Sequence, residues 1–426
     1  MHISSLPGGH GIGDLGRSSH EFIDFLANSG QSYWQILPLG PVSPVFGNSP
    51  YMSHSAFAGN PLFISLETLV DEGLITANDL PTHVFSPYHV DFSQVATLKK
   101  NALRAAWNTF LHRGDRDTFE HFTKTTPWVN EYALFMALKA EFTHTAWSKW
   151  PEKIKKRDPE TLKKIRLHNK QEIDYFLFEQ FIFFKQWKRL LKYAHSQGIK
   201  IIGDLPIYVG HDSADVWAHQ NIFELSPETG SPVHVAGVPP DYFSKTGQRW
   251  GNPLYRWNSP DNTVKEELYG WWENRFRSIL ATVDVIRIDH FRGFADYWEI
   301  PADEETAING RWREGPGAAL FKAMEKSLGG RLPIIAEDLG VITRNVEKLL
   351  AEVGYPGMAV LQFGFESMQS DDPAAFLPHN LKKNQIVYTG THDNKTTVQW
   401  WLEQTENIQD FTRRYLNTDG NLISRD

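Results

Sequence analysis

Residues 285–290 read Val-Ile-Arg-Ile-Asp-His, an apolar run that ends in the carboxylate of Asp289. Two later stretches have the same form: residues 334–338 read Ile-Ile-Ala-Glu-Asp, and residues 387–394 read Val-Tyr-Thr-Gly-Thr-His-Asp-Asn. Short apolar runs of this kind predict buried strands, and a carboxylate is costly there because burial removes its hydration. Three such strand ends predict one catalytic mouth lined by acidic side chains.

Similar apolar runs recur along the chain and predict strands near residues 34, 201, 234, 286, 335, 360 and 388. Stretches with helical spacing separate the later runs. Strands that alternate with helices are typical of a parallel sheet with helices outside. The pattern predicts an α/β protein built on a TIM-type (β/α)8 barrel, whose active site lies at the C-terminal ends of the strands.

The stretch between the first two predicted strands differs from the rest, because it shows helical spacing and few strand signals. We predict that residues 1–61 begin the catalytic barrel, that 62–196 form a mainly helical inserted subdomain, and that 197–426 supply the remaining barrel. A complete barrel has eight strands, and the predicted strands fall one short. The eighth strand is therefore expected to be missing from this chain.

Composition excludes several classes of protein. The chain has 426 residues, a net charge of −8 and no cysteine, so disulfides and cysteine metal sites are excluded and a cytoplasmic protein is expected. An acidic chain argues against nucleic-acid binding, and no apolar run approaches the ~20 residues of a membrane helix. We expect no nucleic acid and no membrane among its partners. Aromatic residues make up 13%, which permits sugar stacking but is mostly core packing.

Two motifs resemble cofactor or metal sites, but the residues around them do not support either kind of site. Residues 11–16 match G-x-G-x-x-G, but a dinucleotide site needs a strand before the glycines and an acidic residue ~20 positions later. Residues 5–9 are loop-like and position 36 is Ile, so a glycine-rich turn before a helix is predicted. Near His211, a helix N-cap at Asp212 or Ser213 is favoured over a metal site. No metal and no cofactor are expected.

The first acid has a cationic neighbour on its own strand. Residues two apart in a strand share a face, so Arg287 and Asp289 point the same way. A fixed cation favours the ionised carboxylate, which suits a nucleophile. A purely structural ion pair is the alternative interpretation.

The other two acids have different surroundings. Apolar residues precede Glu337, so burial should raise its pKa and suit it to general acid catalysis, unless Arg or Lys from elsewhere pairs with it. Asp393 follows the last strand and could bind sugar hydroxyls or act as a helix N-cap. One ionised and one protonated carboxyl group are what glycoside cleavage requires.

These segments resemble a known family. Residues 286–293, 335–340 and 390–394 are similar to the catalytic segments of the 4-α-glucanotransferases (amylomaltases or disproportionating enzymes), glycoside hydrolase family 77 of the α-amylase clan. Further agreement is found at residues 4–8, 34–41, 49–51, 55–61, 203–209 and 247–255. The resemblance spans nearly the whole chain. Since family members continue to another strand and helix, it also implies that this chain is incomplete at its C-terminus.

The resemblance implies a role for each site residue. Asp289 would be the nucleophile, Glu337 the acid/base and Asp393 the transition-state stabiliser. Trp250 would lie on a mobile loop that covers the glucan near the acceptor side. The substrate-binding residues implied in this way are Tyr51, Asp204, Trp250, Arg287 and His392.

The implied reaction is a retaining double displacement. It would move α-1,4-glucan segments from a donor maltodextrin to the 4-hydroxyl of an acceptor glucan or glucose, without a cofactor. The partners would be maltooligosaccharides, amylose and glucose, and the protein would be a monomer. An α-glucan hydrolase of the same clan and a non-catalytic glucan-binding protein are the alternatives. A non-catalytic protein would be expected to lack one of the three catalytic acids, and all three are present.

Overall fold

The computed structural model describes residues 1–241, 244–340, 342–366, 373–421 and 423. The chain divides into two compact units. The first contains Met1–Val235 and Gly251–Ile286, and the second contains Ala236–Trp250 and Arg287–Asp426. None of the helices in these described ranges is long and apolar enough to cross a bilayer.

The described strands are β1 (Tyr33–Gln35), β2 (Lys200–Pro206), β3 (His234–Val238), β4 (Gln248–Pro253), β5 (Val285–Asp289), β6 (Asp296–Pro301), β7 (Arg311–Glu314), β8 (Ile334–Ala336), β9 (Gly357–Val360) and β10 (Gln385–Tyr388). The described α-helices are α1 (Arg17–Asn28), α2 (Leu66–Asp71), α3 (Phe92–Arg113), α4 (Arg116–Thr125), α5 (Val129–Glu141), α6 (Glu152–Lys155), α7 (Pro159–His168), α8 (Lys170–Ser196), α9 (Ala214–Ala218), α10 (Asn262–Leu280), α11 (Gly317–Leu328), α12 (Arg344–Val353), α13 (Leu361–Phe365), α14 (Thr397–Glu403) and α15 (Glu406–Leu416).

Two of the strands that carry the candidate acids, β5 and β8, are neighbours in one sheet, whereas β10 pairs with β9. β1 pairs in parallel with β2, and the strand order of this sheet is β1-β2-β5-β8. There the N–H of Glu337 donates to the carbonyl of Ile288 at 3.0 Å, and that of Ala336 donates to Pro356 at 2.9 Å. β9 pairs in parallel with β10. The ends of β5 and β8 therefore meet at one edge.

One predicted strand has a different place. The predicted strands near residues 34, 201, 286 and 335 are β1, β2, β5 and β8, and those near 360 and 388 are β9 and β10. The strand near residue 234 is β3, which belongs to a separate sheet of order β4-β3-β6-β7. Its assignment to the barrel is wrong. A short apolar run between Pro232 and Pro239 fits either sheet, because its composition does not specify which strands it pairs with.

The third acid-tipped strand is less buried than predicted. Ile286, Ile288 and Ile335 are buried in β5 and β8, as expected. In β10, however, Val387 is 48% exposed, so the prediction of a buried strand is wrong there. Among the described strands β10 pairs with β9 alone, so no second described strand flanks it.

Most of residues 62–196, between β1 and β2, are helical, as predicted. The predicted helices over 95–111, 129–142 and 175–194 lie within α3, α5 and α8. Aromatic rings from several of these helices pack together, with Phe110 and Phe178 at 5.0 Å. The buried Nζ of Lys139 on α5 lies 2.6 Å from Asp212 after β2. The boundaries of an inserted subdomain stay a prediction.

The two cofactor-like motifs have structural roles. Residues 11–16 form a turn that leads into α1, and Asp14 accepts the N–H of Gly16 at 3.0 Å and pairs with the buried Lys99 at 3.2 Å. Ser213 caps α9 by accepting the N–H of Val216 at 3.2 Å. The predicted glycine-rich turn and helix cap are confirmed.

Candidate functional site

Asp289 ends β5 beside a buried cation. Its Oδ1 lies 3.0 Å from Nη1 of Arg287, as the shared strand face predicts. The Arg287 side chain is 3% exposed and that of Asp289 is 29% exposed. A desolvated guanidinium this close favours the ionised carboxylate. Asp289 is therefore a partly accessible anion held in a fixed orientation.

Glu337 follows β8 and is held by two backbone donors. Its Oε2 accepts the N–H of His290 at 2.8 Å, and its Oε1 accepts the N–H of Leu339 at 2.9 Å. Burial raises the pKa of Glu337 to about 7; the charge of Arg287 opposes this shift, and that of Asp289 adds to it. Near neutral pH this group can both donate and accept a proton, which agrees with the prediction from its apolar neighbours.

His290 was missed by sequence reasoning. Its backbone is left-handed, with φ 53°, and this turn brings its N–H to Glu337. Burial, aided by the charge of Arg292, lowers the pKa of His290 to about 3, so the ring is neutral. The ring meets that of Trp250 edge-on, with centroids 4.8 Å apart and planes at 87°. Its position next to Asp289 is the signal that could have drawn attention to it.

Trp250 lies in a strand. The resemblance implied a mobile loop, whereas the structure places this residue within β4, so the loop assignment is wrong. Its Nε1 donates to Oε1 of Gln248 at 3.1 Å. A strand holds the indole in a more defined orientation than a loop would.

Asp393 is the most exposed of the three acids. Its side chain is 71% exposed, and its Oδ1 lies 3.3 Å from Nε2 of His392. Burial lowers the pKa of His392, with the charge of Asp393 opposing this shift and that of Arg287 adding to it. The cap of α14 is Thr396, which accepts the N–H of Gln399 at 3.2 Å. The alternative role of Asp393 as that cap is therefore wrong.

Asp338 and Gly357 form a second contact that sequence reasoning missed. The Oδ1 of Asp338 accepts the N–H of Met358 at 2.7 Å, which joins the residue after Glu337 to β9. A Cβ at position 357 would collide with the Asp338 carboxylate, so a glycine is needed for this approach. The contact fixes the backbone that carries Glu337.

Asp204 and Tyr51 lie in the first unit. Asp204 in β2 is 5% exposed, and its Oδ2 accepts the hydroxyl of Tyr51 at 2.7 Å. Both side chains line a cavity of about 100 Å³ within this unit. Their predicted contact with a sugar stays a prediction, whereas Asp289, Glu337, Asp393, Arg287, His392 and Trp250 all belong to the second unit.

The raised pKa of Glu337 predicts a pH-dependent loss of stability. Its ordinary value is 4.5, so between that value and about 7 the folded state binds a proton more tightly than the unfolded state does. The contribution of Glu337 to folding stability is fully present below its ordinary pKa and is lost as pH rises toward about 7. We expect Glu337→Gln to raise the free energy of unfolding by about 2 kcal/mol near pH 8 and by little near pH 5. Thermal melts of both proteins at the two pH values test this, and an equal effect at both would contradict it.

Comparisons with known proteins agree with this geometry. The model of glycoside hydrolase family 77, described as 4-alpha-glucanotransferase, matches residues 1–426. The chain is 47% identical over 422 residues to a 4-alpha-glucanotransferase of Synechocystis, covering 98% of this chain and 82% of that protein. It is 45% identical over 407 residues to one of Clostridium butyricum, covering 95% of this chain and 81% of that protein.

A solved structure extends the likeness to the fold. The amylomaltase from Streptococcus agalactiae in complex with acarbose matches with a TM-score of 0.92 and 41% identity, covering 99% of this chain and 84% of that one. The predicted α/β fold of the TIM-barrel class is confirmed by this match. The predicted family is confirmed by the matches in sequence and structure together. The chain belongs to glycoside hydrolase family 77, the 4-alpha-glucanotransferases.

Proposed function

We propose that this 4-alpha-glucanotransferase acts by a retaining double displacement, with Asp289 as nucleophile, Glu337 as acid/base and Asp393 as transition-state stabiliser. One observation carries the assignment. Two neighbouring carboxyl groups have opposite environments, since Asp289 pairs with a buried guanidinium while burial raises the pKa of Glu337 to about 7. Retaining glycoside cleavage needs this combination of an anion and a proton donor.

The first step transfers the glycosyl group to the enzyme. Glu337 protonates the glycosidic oxygen, and Asp289 attacks the anomeric carbon as the bond to the leaving sugar breaks. Glu337 is then an anion, and the N–H groups of His290 and Leu339 stabilise it. The leaving sugar departs with the proton.

The second step runs in the opposite direction with an acceptor. Glu337 removes the proton from the 4-hydroxyl of an incoming glucan, which attacks the anomeric carbon and releases Asp289. The charge of Asp289 raises the pKa of Glu337 in the free enzyme, and that charge is absent from the glycosyl ester. The pKa of Glu337 therefore falls in the intermediate, which favours its basic form when a base is needed.

The remaining site residues are assigned to substrate binding. The exposed carboxylate of Asp393 is suited to accept sugar hydroxyls, and the nearby His392 carries a neutral ring that can bond to them. We propose that Arg287 binds the sugar at the cleaved bond in addition to pairing with Asp289. We assign Tyr51 and Asp204 to glucan binding, and Trp250 to covering the acceptor.

The proposed donors are maltooligosaccharides and amylose, and the acceptors are glucans or glucose. The related amylomaltase solved with acarbose supports a carbohydrate ligand for this site. Incubation with maltotriose tests the assignment. Glucose together with longer chains supports transfer, whereas glucose and maltose alone would indicate the hydrolase alternative. The steps use no cofactor, and we propose a cytoplasmic monomer.

The pKa of Glu337 predicts the basic limb of the pH profile. The first step needs this group protonated, so kcat/KM for maltotriose should fall as pH rises through about 7, close to tenfold per unit well above it. Initial rates at low maltotriose concentration across the pH range measure this. A profile that stays flat to about two units above the pKa would contradict Glu337 as the acid.

A further inference from the structure

His290 occupies an unusual position between two parts of the second unit. It follows Asp289 directly and adopts a left-handed backbone with φ 53°, a conformation that is uncommon outside glycine and is tolerated best by Asn, Asp and His. Its backbone contacts Glu337 and its ring contacts Trp250. These contacts reach different groups.

The backbone contact reaches the acid/base. The left-handed turn directs the N–H of His290 to Oε2 of Glu337 at 2.8 Å. The second oxygen is taken by Leu339 at 2.9 Å, so the carboxyl group is fixed from both sides. The charge of Arg287 lowers the pKa of Glu337, and the charge of Asp289 raises it.

The ring contact reaches β4. The imidazole meets the edge of the Trp250 indole, with centroids 4.8 Å apart and planes at 87°, a preferred geometry for aromatic pairs. A neutral ring packs there without the hydration that an imidazolium would require. Trp250 also contacts its own strand, since its Nε1 donates to Oε1 of Gln248 at 3.1 Å.

We propose that His290 is a positioning residue that couples the acceptor side of the site to the acid/base, with its N–H holding Glu337 and its ring holding Trp250. The inference rests on the proposed function, which assigns proton transfer to Glu337 and cover of the acceptor to Trp250. A fixed indole keeps water from the glycosyl-enzyme and leaves the sugar hydroxyl as the nucleophile. The ring of His290 thereby favours transfer over hydrolysis.

Two substitutions separate the backbone contact from the ring contact. Asn tolerates the left-handed conformation, so His290→Asn keeps the N–H in place and removes the ring. We expect the ratio of hydrolysis to transfer on maltotriose to rise by ~5-fold or more, with the basic limb of kcat/KM unchanged. Val is poorly compatible with that conformation, so His290→Val should also misplace the N–H. Because this hydrogen bond stabilises the Glu337 anion, its loss should move the basic limb of the kcat/KM profile to higher pH by roughly half a pH unit. The misplaced acid/base should also lower kcat ~10-fold.

Matched variants control for general damage. Asn417 has φ 54° at the end of α15, so Asn417→Val strains a similar turn away from the acids and should leave both the product ratio and the limb unchanged. In a Trp250→Ala background, adding His290→Asn should raise hydrolysis no further, since the two side chains act through one contact. If His290→Val does not fold, His290→Ala strains the turn less and gives the same test of the limb.

The outcomes are distinct. A wild-type product ratio in His290→Asn, or additive effects with Trp250→Ala, overturns the ring contact as the coupling. If the basic limb of kcat/KM stays at the wild-type pH in His290→Val and His290→Ala, the proposed role of the His290 N–H in holding Glu337 is overturned. If the unmodified protein produces glucose and maltose alone from maltotriose, the proposed transfer function fails instead, and the limb still tests the link between His290 and Glu337.

Discussion

Replacement of Asp289 by Asn is expected to lower turnover of maltotriose by ~10⁴–10⁶-fold, the range seen when an enzyme loses its nucleophile. The amide has nearly the shape of the carboxylate but lacks the charge that attacks the anomeric carbon. Glucan binding should change little, because the other sugar contacts persist. Single-turnover kinetics measure the chemical step, and calorimetric titration with maltotriose measures the binding.

The same substitution should also lower thermal stability, because Arg287 is 3% exposed and loses the anion at 3.0 Å. Glu352→Gln is a suitable control, since this surface acid of the second unit pairs with Lys322 across exposed side chains. It should preserve both turnover and the melting temperature. Turnover by Asp289→Asn within tenfold of the unmodified protein would refute the assignment of the nucleophile.

The acids of the site could be predicted because local rules govern them. The period of a strand places Arg287 and Asp289 on one face, and the salt bridge at 3.0 Å follows from it. The apolar run before Glu337 predicts burial, and burial raises its pKa. Neither inference needs a distant part of the chain.

Features that depend on distant partners could not be predicted in this way. β3 has the composition of a barrel strand, but its sheet is determined by its neighbours β4 and β6, and β6 lies far from it in the sequence. The exposure of Val387 depends on which strands flank β10. A left-handed backbone at His290 is invisible in the sequence, because residues other than glycine adopt it where the surrounding structure compensates for the strain.

Replacement of Glu337 by Gln should separate the two chemical steps. With maltotriose the loss should reach ~10²–10⁴-fold, because Gln cannot protonate the leaving sugar. With α-maltosyl fluoride the leaving fluoride needs little protonation, so attack by Asp289 should continue. The acceptor then lacks a general base, and its attack is slow. The maltosyl-enzyme should accumulate.

Mass spectrometry of the intact protein and of its peptides detects this intermediate. We expect a gain of one maltosyl group on the peptide that contains Asp289, and no gain in Asp289→Asn/Glu337→Gln. In Glu337→Gln the amide oxygen can accept only one of the two N–H groups, and the amide NH2 faces the other, so some loss of order is expected without loss of the nucleophile. Labelling of another residue, or wild-type turnover of maltotriose by Glu337→Gln, would overturn the division of roles between the two acids. Because the same variant should be more stable than the unmodified protein above neutral pH, unfolding cannot account for its lost activity.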